Sequence, residues 1–121
     1  MAPFVVNEAA VHEFKTLAAL HRWYKANHAK APEMWIKIHK KGSGLPSVTN
    51  VEGFEEALCW GWVDTQTKGI DESRYSIRFR KRRPGSNWSA INRTILCRLI
   101  ANGRMQPAGR AVMPADLTCP D

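Results

Sequence analysis

Apolar positions along this chain recur with two different spacings, and the switches between them mark out its elements. Ala10, Phe14, Leu17, Leu20 and Tyr24 fall three or four residues apart, which predicts one helical stripe with Asn7 placed to cap it and an end near Asn27. After the punctuation HAKAPE, the stretch MWIKIHKK sets Trp35, Ile36 and Ile38 against Lys37, His39 and Lys40, the pattern of a half-buried strand. Helical spacing returns past the loop KGSGLPS. There Thr49 and Glu52 spell a capping box for a helix from Asn50 to about Trp60. Val51, Phe54, Ala57 and Leu58 are its expected buried stripe, Glu52, Glu55 and Glu56 its wet face, and Gly61 its stop.

The spacing then shortens to two. WVDTQTK carries β-branched residues at Val63, Thr65 and Thr67, and RYSIRFR alternates Tyr75, Ile77 and Phe79 with Arg74, Ser76, Arg78 and Arg80. The short link GIDES predicts an antiparallel hairpin in which Trp62, Asp64 and Gln66 share a face. KRRPG reads as a turn, and Ser86 as the N-cap of a helix from Asn87 to about Ala101, with Trp88, Ile91, Ile95 and Leu99 inward and Asn102-Gly103 ending it. Pro107 opens a last short helix to about Met113. The sum is an α+β fold, a small antiparallel sheet of about three strands packed against several helices. It is expected as one domain over residues 1–112 with a short tail at 113–121, since 121 residues suffice for a single core.

Charge changes the picture. The net +7 is concentrated between Arg74 and Arg110, where ten basic and no acidic residues stand, against eight basic and nine acidic in residues 1–73. Such asymmetry points to an anionic partner. Cys59, Cys97 and Cys119 form no CxxC pair and are odd in number, so neither a disulfide framework nor a zinc site is expected, and a reducing compartment is the simplest home. The first residues lack a basic leader, and no run approaches the roughly 18 apolar residues of a membrane span. The expected setting is cytoplasmic, without membrane insertion. His12, His21, His28 and His39 match no metal spacing, and no metal or cofactor is expected.

Candidate chemistry gathers where the basic strand meets a helix start. Arg78, Arg80, Lys81 and Arg83 lead into Ser86, Trp88, Ser89 and Asn92, combining guanidinium donors, hydroxyls, a stacking ring and exposed backbone N–H groups. With Trp62 and Asp64 from the neighbouring strand these make a candidate basic and aromatic pocket for a small anion. The plainer alternative has Ser86 only capping, Trp88 in the core and the arginines solvated. Asp64 lacks a paired acid or nucleophile, so it is expected to orient a basic residue rather than catalyse.

The ordered blocks MWIKIHKKGSG, FEEALCWGWVDTQTKGIDESRYSIRFRKRRPGSNWSAIN and LIANGRMQPAGRA, across roughly residues 10 to 112, resemble the YdeI/OmpD-associated proteins, small bacterial proteins also labelled bacteriocin-protection proteins. That resemblance implies an α+β domain and a link to an outer-membrane porin and to bacteriocin resistance, and it implies no catalytic activity. The expected function is therefore a non-enzymatic stress or envelope-protection protein binding a small phosphorylated anion. Nucleic-acid binding, or interaction with a porin or other envelope protein, stands as the alternative.

Overall fold

The computed structural model describes residues 11–40, 42–83, 85 and 87–119. In chain order these form β1 (Val11–Glu13), α1 (Leu17–Asn27), β2 (Glu33–His39), α2 (Asn50–Cys59), β3 (Trp62–Gly69), β4 (Arg74–Lys81), α3 (Ala90–Ala101) and α4 (Pro107–Arg110). The sheet order is β1-β2-β4-β3. The α+β class holds, with a fourth strand. Because β1 runs parallel to β2, with α1 as the crossover between them, the sheet is mixed rather than antiparallel.

The extra strand explains where α1 begins. Val11 to Glu13 spend their backbone groups on a ladder with Trp35 to Lys37, so the helix starts at Leu17, where the Thr16 hydroxyl accepts from the Ala19 N–H. Long-range pairing overrides the helical spacing of Ala10 and Phe14. The proposed cap Asn7 lies outside the described residues.

Register places Met34, Ile36 and Ile38 of β2 opposite Phe79, Ile77 and Tyr75 of β4 on one face of the sheet. Leu20 and Tyr24 of α1, Ala57 and Leu58 of α2, and Leu96 and Leu99 of α3 join them in a single buried cluster. Each fully buried leucine, isoleucine, methionine or phenylalanine among them contributes roughly 1.5–3 kcal/mol through removal from water. The capping box at Thr49 and Glu52 forms as predicted. Gly61 takes φ +78° after α2 and lies so near α4 that a Cβ would stand 2.8 Å from the Ala108 carbonyl oxygen. At Gly109 a Cβ would meet the Cys59 carbonyl oxygen at 2.2 Å, so α4 docks backbone to backbone on the end of α2.

Four residues depart from their expected burial. Val51 and Ile91 are 57 % and 74 % exposed, whereas Glu55 and Glu56 are buried. The cause is tertiary: Arg98 of α3 and Arg104 of the following turn cover that side of α2 and supply the carboxylates with partners. The hairpin face also differs, because an irregularity between Asp64 and Gln66 turns Gln66 to the side opposite Asp64.

Cys97 and Cys119 form a disulfide, correcting the expectation of unpaired cysteines. The tail folds back along α3, tied by an Arg93–Asp116 ion pair and by Leu117 packing on the core, and so delivers Cys119 to Cys97. Cys59 is free and buried, its thiol pushed up to about 11, chiefly by burial. Among the described residues, no helix is long and apolar enough to cross a membrane.

Candidate functional site

The end of β4 carries four consecutive cations into a groove of about 250 Å³, lined by Arg80, Lys81, Arg82 and Arg83 with Val63 and Thr65 of β3. The backbone explains why they converge. β4 outruns its pairing with β2 at Arg80, continues beside Trp62 at Lys81, and is held one residue further by the Arg82 N–H donating to the Gly61 carbonyl at 2.8 Å. The strand thus runs through Lys81, one residue into the expected KRRPG turn, and is tied at Arg82, and Gly85 lies in a turn.

Within the groove the four differ. Lys81 donates to the Ala29 carbonyl at 2.7 Å and meets no carboxylate among the described residues. Arg80 and Arg83 are exposed and make no ion pair among the described residues. Arg82 is buried, donates to the Asn87 carbonyl at 3.1 Å and stacks on the Trp88 ring at 3.7 Å. Burial lowers its pKa from the ordinary arginine value, against the opposing pull of Asp64. This residue went unnoticed in the sequence. The one available signal was the alternation Ser76, Arg78, Arg80, Arg82, masked by reading KRRPG as a turn.

The remaining predicted residues divide. Trp62 is 1 % exposed and belongs to the core. Arg78 is spent on the sheet, its Nε bonded to Glu33 and its Nη1 donating to the side-chain Oε1 of Gln66 at 2.9 Å. Glu33 is the carboxylate that pairs with Arg78, while Asp64 acts on Arg82 only through its charge. Ser89, rather than Ser86, caps α3, accepting from the Asn92 N–H at 3.1 Å, so the helix starts three residues later than expected. Ser86 itself lies outside the described residues. Trp88 is half-buried beneath Arg82. Of the ten residues proposed for one pocket, the structure joins Arg80, Lys81 and Arg83 in the groove, with Trp88 linked to it through Arg82.

Two further cavities flank this end. An apolar slot of about 360 Å³, walled by Trp60, Ala108, Ala111 and Val112, shares Lys81 and Arg82 with the groove. On the helix side of the sheet, a cleft of about 470 Å³ opens between α2, α3 and the β3–β4 ribbon. Val51, Phe54, Ile77, Phe79 and Ile95 form its apolar surface, and Asp64 and Thr67 its edge.

A third constellation is internal. Glu56 accepts from His21 Nδ1 at 2.7 Å, from Trp60 Nε1 at 2.8 Å and from Arg104 Nη2 at 3.2 Å. Beside it, Glu55 takes both terminal nitrogens of Arg98, at 3.2 and 2.6 Å. The Arg98 hydrogen bond lowers the Glu55 pKa against the opposing effect of burial. Both carboxylates hold more than one donor, drawn from α1, α3 and the turn after it, which marks the network as a structural clamp tying α1, α2 and α3 together.

Fold and groove together define a small α+β protein with a cationic groove at one end of its sheet. The chain belongs to the family described as a domain of unknown function (DUF8412), whose model matches residues 12–112. No curated protein and no solved structure matches it.

Proposed function

We propose that the protein binds a small phosphorylated compound in the groove of Arg80, Lys81, Arg82 and Arg83, as a non-enzymatic ligand-binding protein. The observation that carries this reading is the lack of acid there. Arg74, Arg78, Arg93, Arg98 and Arg104 each meet a carboxylate, whereas Arg80 and Arg83 stand exposed with none among the described residues. Guanidinium groups offer paired donors that match phosphate oxygens. The neighbouring slot, sharing Lys81 and Arg82, has room for the ligand's apolar portion, which favours a phosphate ester over the bare ion. The resemblance to the YdeI/OmpD-associated proteins supports a role in stress or envelope protection, and with it a cytoplasmic setting.

The test is a thermal-shift panel of inorganic phosphate, nucleotides and other phosphate esters. A ligand at 100 times its dissociation constant adds about 2.7 kcal/mol of stability, and Arg80→Ala or Arg83→Ala should abolish the gain. No shift from any member rejects the reading. The groove is open and its cations contiguous, which also suits a nucleic-acid backbone. That second reading requires affinity falling steeply with salt, where a single small anion gives a shallow slope.

A further inference from the structure

The cleft on the helix side of the ribbon has the opposite character from the groove. Phe79 and Ile77 form its floor, Val51, Phe54 and Ile95 its walls, and around 470 Å³ of space suits a ligand of one ring or a short branched chain. Two carboxylates border it. Glu55 is already held by Arg98 and Arg104 and attracts nothing further. Asp64 is exposed and makes no hydrogen bond or ion pair among the described residues.

This placement follows from the strand. β3 turns Val63 toward the same face as Arg80, its register partner, and Asp64 toward the face of Phe79. Successive residues of one strand therefore serve opposite charges: Val63 lines the basic groove, and Asp64 edges the apolar cleft. Arg82 feels the charge of Asp64 without forming an ion pair or hydrogen bond with it among the described residues, so an apolar cavity edged by this carboxylate is complementary to a molecule with an apolar body and a single positive end. Thr67 at the same edge supplies a hydroxyl acceptor for a further N–H.

We propose that this cleft is a second binding site, for a primary organic amine whose ammonium pairs with Asp64 while its ring or alkyl body packs against Val51, Phe54 and Ile95. The site is independent of the phosphate groove and opposite to it in charge preference.

The experiment titrates the full chain with 2-phenylethylamine, and in parallel with its neutral analogue 2-phenylethanol and the anion 3-phenylpropionate, followed by ¹H–¹⁵N NMR. The amine should move the amides of Val51, Phe54, Asp64 and Thr67, and should bind about fivefold tighter than the alcohol, as expected for an exposed ion pair. Asp64→Asn should bring the amine down to the affinity of the alcohol while the remaining spectrum keeps its folded dispersion. Equal affinity for amine and alcohol, preference for the carboxylate, shifts confined to other residues, or an amine affinity unchanged in Asp64→Asn would each overturn the proposal. So would loss of the amine shifts as protein concentration rises, because a second copy would then be the occupant of this face.

Discussion

Two clusters of arginine, one on α3 and the turn after it and the other at the end of β4, show how the same side chain takes on different duties. Arg98 and Arg104 meet Glu55 and Glu56, which are buried, and the result is a closed network holding helices together. Arg80 and Arg83 meet no acid among the described residues, and the result is a surface rich in available donors. Both clusters lie in the same basic stretch of sequence. Where the carboxylates fall in space decides which arginines are structural and which remain available for a ligand.

The sharpest way to break the contrast is to remove the acid. Glu56→Ala leaves the buried Trp60 Nε1 without its acceptor and frees His21 and Arg104, which can reach water, and should cost about 1–3 kcal/mol in urea unfolding. A loss below 1 kcal/mol would mean that the clamp is no clamp. Arg82→Ala removes the residue between the two types, buried like the first cluster yet lining the groove. Loss of its stack on Trp88 and its bond to Asn87 should cost about 1–2 kcal/mol.

Acid separates the clusters by a second route. The folded-state pKa of Glu55 lies below its ordinary 4.5, so its contribution is complete above that value and is lost as pH falls through the folded value. The urea midpoint should therefore decline below pH 4.5, and less steeply in Glu55→Gln. The smallest effect belongs to the groove: Arg80→Ala and Arg83→Ala should each change stability by less than about 0.5 kcal/mol. A larger loss would show these arginines to be structural after all.

Much of the fold was legible because local signals agreed with the tertiary structure. The capping box at Thr49, the alternation of Tyr75, Ile77 and Phe79, and Gly61 after α2 each specify their own conformation within a few residues. What failed was non-local. β1 exists because of a partner more than twenty residues away, Glu55 and Glu56 are buried because Arg98 and Arg104 arrive from α3 and beyond, and Gln66 changes face at an irregularity that composition does not mark. The candidate site shows the same divide. A basic stretch was visible as such, but the separation of Arg78 from Arg80 depends on Glu33, a residue 45 positions from Arg78.

The Cys97–Cys119 bond closes a covalent ring over a separation of 22 residues, with Cys119 exposed. In the glutathione-rich cytoplasm such bonds are normally kept reduced, and in oxidising compartments they persist. The fraction of molecules carrying the closed ring, read by thiol alkylation and mass spectrometry directly from cells, thus serves as a molecular record of the surroundings in which the protein resides.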